Sequence, residues 1–254
     1  MNSILRRFRT FFLGFLSIHL IWAAAYLIKH TTVIPNPIEV YLNFGEVFST
    51  KLLMHILFSL RRIGAGLALS LVIGVPVGIL MATSRKANQL LYPFVYFSYP
   101  IPKTALLPVA MLLWGMHDGS KVAIIFLIIV FQVIVAVRDS VISIDPRMYQ
   151  VIRSTGAGRG QMIRHVTLPA VLPQLLTSVR VSLGTAVSVL FFVEGYGTKY
   201  GMGYYILDSW SRIDYIEMYI GIIVIAVVGF VLFEGIDLLA GKLCRWEAKG
   251  SGTI

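Results

Sequence analysis

Two cations stand inside stretches of sequence that otherwise carry no charge. Lys103 lies in the run from Gln89 to Trp114, and Arg180 in the run from Ala170 to Val193. An ionised group inside an apolar run marks either a path for an ion of opposite sign or a structural pair. The first reading is a positive lining for a small oxyanion. The second is pairing with backbone carbonyls or with an acid such as Glu194, or snorkelling to the surface. Prolines surround Lys103: Pro100, Pro102 and Pro108 withhold N–H donors, and carbonyls freed that way survive in a membrane only against protein or water. On continuous helices Lys103 would stand about 21 Å along its run and Arg180 about 15 Å along its own. Pro100, Pro102, Lys103, Arg180 and Glu194 are therefore the candidate pathway residues.

Other chemistries find little footing. His19, His30, His55, His117 and His165 are scattered without metal-ligand spacing, so no metal site is expected. No nucleophile-elbow or zinc-protease pattern accompanies the serines, histidines and acids, so no catalytic residue is assigned. The run Gly156-Ala157-Gly158-Arg159-Gly160 has the glycines of a phosphate cradle but no following Lys-Ser/Thr pair and no preceding strand. The chain is thus expected to hydrolyse no ATP, to carry no cofactor and to be no enzyme. Cys244 is the one cysteine, which excludes an internal disulfide.

The elements that position these residues follow from composition. Of 254 residues, 57% are hydrophobic and 13% charged, about half the charged share of an average soluble domain. Six runs approach the roughly 20 residues that cross a bilayer core: Phe11 to Ile28, Ile63 to Thr83, Gln89 to Trp114, Val122 to Val137, Ala170 to Val193 and Met218 to Ala240. Backbone groups must pair internally in lipid, so each run reads as helix. The expected fold is an all-α membrane protein of about six transmembrane helices. Arg6, Arg7 and Arg9 before an apolar run ending Ala23-Ala24-Ala25 resemble a cleavable signal peptide, but the run exceeds a usual signal core and is expected to stay as the first helix.

The net charge of +10 sits mostly in the short loops, which favours membrane topology over nucleic acid. The N-terminus, the second-to-third loop, the fourth-to-fifth loop and the C-terminal tail hold thirteen lysines and arginines, from Arg6 to Lys249. The opposite side holds seven, among them Arg61, Arg62 and Lys121. Both termini are therefore expected in the cytoplasm. Three segments are expected, with bounds that rest on the family resemblance set out below: 1–56 as an N-terminal arm, first helix and outer loop; 57–240 as the transmembrane core; 241–254 as a cytoplasmic tail.

The longest polar segment, Arg138 to Pro169, falls on the cytoplasmic side. Asp145-Pro146 reads as a helix start, with a side-chain acceptor capping and proline in the first turn. Gly156 permits a turn through positive φ. A second short helix containing Met162, Ile163 and Val166 should follow, and Leu168-Pro169 should break it before the fifth span. The product is a helix pair, basic outside and apolar beneath, which membrane lipid alone could anchor.

Gly156, nine residues, then Val166-x-Leu168-Pro169 resembles the EAA motif of bacterial ATP-binding-cassette importer permeases. Ser59-Leu60-Arg61-Arg62-Ile63 with Gly66, Gly74-Val75-Pro76-Val77-Gly78, the run Tyr99 to Pro108 and Leu113-Trp114-Gly115 are similar to the start and third span of that family. Leu172-Pro173, Ser178-Val179-Arg180, Glu194 and Gly201-Met202-Gly203 continue the likeness, which spans about Leu57 to Ala240 and is closest to the nitrate, bicarbonate, taurine and sulfonate branch. The Glu-Ala-Ala positions are Gln150, Val151 and Ile152 here, so the acid is missing. The segment Tyr196 to Tyr200 also departs from the family's small apolar residues.

The resemblance implies a permease in the cytoplasmic membrane of a bacterium or archaeon. Its partners would be ATPase subunits, a periplasmic or lipid-anchored substrate-binding protein and a second copy of the chain. The helix pair would be the coupling element, with Tyr149, Gln150, Val151, Ile152, Gly156, Met162, Leu168 and Pro169 at the ATPase. The cargo would be a small oxyanion or, alternatively, a thiamine-precursor-like heteroaromatic. A stand-alone secondary transporter is the competing class; it favours internal repeats and buried acids at the midplane, and neither is evident.

Overall fold

In the computed structural model, residues 2–29, 31–48 and 50–246 are described, and the side chains of 2–11, 50 and 51 are not. His30, Ser49 and the tail beyond Trp246, Lys249 included, lie outside the described residues. Among the described residues every regular element is helical.

Helix α1 (Asn2–Lys29) is apolar and mostly open from Phe12 onward, as a lipid-facing helix must be. It touches the rest through Trp22, whose Nε1 donates to Pro35 O at 3.1 Å and whose ring stacks on Tyr219. Asn36 caps α2 (Pro37–Val47), accepting from Ile38 N, with proline in the first turn.

Helix α3 (Thr50–Thr83) has 34 residues, about 51 Å at the α-helical rise. The sequence predicted a start at Ile63; the helix begins thirteen residues earlier, so Arg61 and Arg62 are helical rather than loop residues. Charges lower the local hydropathy, yet they are paired by distant residues and the helix continues through them.

The third run is not one helix. Helix α4 (Arg85–Ser98) stops, a 3-10 turn follows over Lys103–Leu106, and α5 (Leu107–Trp114) completes the segment. Pro100 and Pro102 each lack the donor a continuing helix needs, and the chain breaks there. Pro108 falls in the first turn of α5, where a missing N–H costs nothing. Among the described residues five helices are therefore long and apolar enough to cross a membrane, and the third run is not among them. The broken segment still traverses the bundle: Asn88 bonds Arg138 near one end of α6 (Asp118–Ile142), while Leu107 packs with Ile124 near the other.

Helices α3 and α6 pack closely and run parallel, because Gly66, Gly74 and Gly78 oppose Ile125, Val133 and Val137 in rising order. Gly66, Ser70, Gly74 and Gly78 recur every four residues and form a small-residue stripe that lets two backbones approach. Ser70 Oγ donates to Gly66 O and lies 3.2 Å from Phe126 O on α6. A Cβ on Gly78 would stand 2.8 Å from the Ile134 carbonyl oxygen, which cannot yield as a side chain tip can. Gly78→Leu is therefore expected to cost about 1–3 kcal/mol or more through overpacking. Gly64→Leu, with nothing within 4 Å of its Cβ, should cost little. Thermal unfolding of the two variants in one detergent checks this.

The chain leaves α6 through α7 (Pro146–Ser154) and α8 (Arg159–Met162), passes a π-helical turn over Ile163–Thr167, and enters α9 (Leu168–Glu194) without interruption. Leu168-Pro169 does not break the helix as expected. The wide turn, in which Leu168 N donates to Ile163 O, accommodates a proline that needs no donor at the second position of α9. Helix α9 is antiparallel to α6, with Ser182 bonded to Gln132. Helix α10 (Met202–Ser211) leads to α11 (Tyr215–Leu243), which returns antiparallel to α9 with Phe233 against Gly184. The central core is built from α3, α6, α9 and α11, around Ile125, Ile129, Val133, Val137 and Leu183. Helix α3 is continuous through residue 57 and α11 through residue 240.

Candidate functional site

Two polar constructions occupy opposite ends of the bundle. At one end the α7–α8 pair projects as a foot. Asp145 accepts from Arg147 N and caps α7. Gly156 turns the chain at φ +80°, with its N–H on Arg153 O. Gln161 Oε1 accepts from Gly158 N and secures the start of α8.

The foot has an inner and an outer face. Tyr149 turns inward, its hydroxyl 3.0 Å from Thr167 Oγ1, and Ile152 and Met162 are half-buried. Gln150, Val151, Gly156 and Leu168 are exposed, and Pro169 is half-buried. Met148 is exposed as well and was missed from sequence, although its three-residue spacing from the open Val151 marks a shared helix face. Arg147 and Arg153 flank this apolar pair.

At the other end, where α3 and α6 begin and α9 finishes, lies a buried charge network. Arg62 is 2% exposed and Glu194 is fully buried. Arg62 Nη1 donates to Glu194 Oε1 at 2.6 Å and to Tyr200 O at 2.7 Å. Its Nε and Nη2 both reach Asp118 Oδ1, and Nη2 reaches Thr198 Oγ1. Arg61 also pairs with Asp118. Glu194 accepts further from Ser59 Oγ and from Gly203 N, and Ser59 Oγ accepts from Met202 N. Lys121, fully buried, donates to Met116 O and Gly197 O.

This network sews the link from α9 to α10 onto the starts of α3 and α6. Gly201 sits at φ +138°, and a Cβ there would collide with Glu194 and Arg62. A Cβ on Gly203 would meet the Leu190 and Phe191 carbonyls. Glycine is required at both places for the backbone to approach the carboxylate. Arg62 and Lys121 were counted as outer-loop charges from sequence; both are internal. No sequence signal joins residues 62, 118 and 194, which are far apart in the chain.

The remaining pathway candidates fall elsewhere. Pro100 and Pro102 form the break after α4. Lys103 Nζ donates to Ser98 O at 2.6 Å and to Tyr99 O, and lies over the Phe131 ring. Arg180 is half-exposed, 3.3 Å from Asp237 on α11 and over Phe233. Glu194 therefore pairs with Arg62, not with Arg180. Helix α9 presents Gln174, Thr177 and Ser188 on an open face together with Val181 and Phe192, with Thr185 half-buried between them.

An all-helical bundle with apolar outer surfaces, a projecting basic foot and a polar open helix face defines a multi-pass membrane protein of the transport class. The chain belongs to the family of binding-protein-dependent transport system inner membrane components, whose model it matches over residues 74–243. It is 32% identical over 222 residues to a putative aliphatic sulfonates transport permease of Bacillus subtilis (strain 168), covering 87% of this chain and 80% of that one. It is 28% identical over 238 residues to a formylaminopyrimidine transport permease of Halalkalibacterium halodurans, covering 93% and 95%. In fold it is similar to a chain of the MetNI methionine ABC transporter in an inward-facing conformation. The TM-score is 0.65 at 21% identity, over 77% of this chain and 97% of that one.

Proposed function

We propose that this chain is the permease subunit of an ATP-driven importer and supplies half of the passage for a small solute handed over by a separate binding protein. The polar face of α9 is the observation that carries the reading. Gln174, Thr177, Thr185 and Ser188 recur, with the exposed Val181 and Phe192 among them, on one side of a helix long enough to span the membrane, and among the described residues that side is largely open. The three hydroxyls bond carbonyls of their own helix, at Pro173, Val181 and Gly184, whereas a Gln174 amide so placed calls for water or other protein rather than lipid. A second copy set against this face encloses a water-lined path between two polar stripes.

Work reaches the bundle through the foot. Met148 and Val151 form its apolar contact and Arg147 and Arg153 its basic rim, against an ATP-hydrolysing subunit. Because α8 runs through the π turn into α9 without a break, a push on the foot moves the helix that lines the path. Both termini then lie on the ATPase side, in the cytoplasm, and the Arg62–Glu194 network lies on the outer side. The sulfonate-permease relative favours a small oxyanion as cargo. The formylaminopyrimidine-permease relative favours a heteroaromatic, the second reading.

Val151→Asp together with Met148→Asp places two charges in the docking face without touching the bundle core. The double variant is expected to recover at least tenfold less ATPase subunit on co-purification while reaching the membrane at normal yield. Full recovery of the ATPase would remove the foot from the docking site.

A further inference from the structure

Pro102 leaves a gap that Lys103 helps to fill. In a continuing helix the Ser98 carbonyl would receive the N–H of residue 102, and proline has none. Ile101 N reaches the Ser98 carbonyl at 3.3 Å, and the Lys103 ammonium adds a shorter bond to it, at 2.6 Å, and one to Tyr99 O. A lysine at the negative end of a helix is well placed for this. An ammonium has three N–H donors, so one remains. Among the described residues no acid forms an ion pair with Lys103, so its charge is offset only by carbonyls and rings.

The remaining donor adjoins a cavity of about 170 Å³ lined by Tyr99, Ile101, Lys103, Ile128, Phe131 and Gln132. At about 30 Å³ per liquid water, this is room for several waters or one small ion. Gln132 is oriented: its Oε1 accepts from the buried Ser182 Oγ at 2.6 Å. That bond leaves the amide nitrogen, a donor pair with no hydrogen-bond partner among the described residues. Gln132 stands about 21 Å along α6, some 14 residues from its start, which is near mid-membrane.

We propose that this cavity is a subsite for one small monovalent oxyanion, held by the Lys103 ammonium and the Gln132 amide nitrogen midway across the bundle. The assignment rests on the importer reading and specifies its cargo chemistry. The cavity lining has a single charge, which is positive, and Ile101, Ile128 and Phe131 form an apolar wall beside it. Two carbonyls already occupy the ammonium, so the grip is weak enough for release, as a passage requires.

The test uses the full chain in lipid nanodiscs, titrated with sodium nitrate or sodium methanesulfonate against sodium chloride at constant ionic strength, with thermal unfolding as the readout. The wild-type chain should show a saturable rise in unfolding midpoint with at least one oxyanion. Lys103→Arg should retain it. Lys103→Met should raise the half-saturating concentration at least tenfold. Gln132→Glu keeps the acceptor for Ser182 but replaces the donor with a negative charge that competes for the Lys103 ammonium, and should abolish the response. No saturable response in the wild-type chain, or unchanged titrations in both charge variants, would overturn the subsite. No ATPase is needed for this measurement, so the subsite and the importer reading fail separately.

Discussion

Glu194→Gln is expected to be the most destabilising conservative substitution in the chain. The carboxylate accepts from Ser59, Arg62 and Gly203 and donates nothing. A glutamine keeps one acceptor oxygen and turns the other into a donor facing donors. It also leaves the buried Arg62 with half of its counter-charge. Removing one partner of a buried pair costs about 3–5 kcal/mol. For a chain of this size that is on the order of 10 °C in unfolding midpoint. Asp118→Asn should cost less, because Asp118 is 30% exposed and Arg62 keeps Glu194. Thermal unfolding of both in the same detergent decides it; equal midpoints for Glu194→Gln and wild type would show that the network does not hold the link from α9 to α10.

Gly156→Pro is expected to reduce ATP-driven uptake at least tenfold with membrane insertion intact. Space is not the obstacle, since a Cβ at Gly156 meets nothing within 4 Å. Conformation is: φ is +80° here, and proline is locked near −65°. The turn must rearrange, and α7 is re-aimed relative to α8. Gly156→Ala carries only the left-handed strain, about 1–2 kcal/mol, and should retain much of the uptake. Uptake rates normalised to the amount of inserted chain check the pair. Normal transport by the proline variant would mean that the foot transmits no displacement.

The apolar spans were legible in the sequence because lipid imposes a length and forbids charge, and five of the six runs fall within long helices. What hydropathy hid was helix that carries charge. The first turns of α3 contain His55, Arg61 and Arg62 and read as loop, because their partners Gly201, Asp118 and Glu194 are remote in sequence. Proline was misjudged in both directions. Pro100 and Pro102 break the third run more completely than expected, while Pro169 breaks nothing, because a π turn precedes it. The foot's turn glycine and Asp145 cap were readable from local chemistry. The facing of Tyr149 was not, since its Thr167 partner belongs to the next element. The four-residue recurrence of Gly66, Ser70, Gly74 and Gly78 was present in the sequence and predicts the close α3–α6 packing on its own.

The central claim is that the bundle moves cargo only when a neighbour hydrolysing ATP works its foot. Reconstitution into sealed vesicles tests it most directly, with and without the ATP-binding subunit, with a loaded binding protein outside and ATP within. Accumulation of cargo against its gradient is predicted only when both the subunit and ATP are present, and is predicted to vanish with the Met148→Asp, Val151→Asp foot. Equal accumulation by vesicles containing this chain without any ATP-binding subunit would contradict the account.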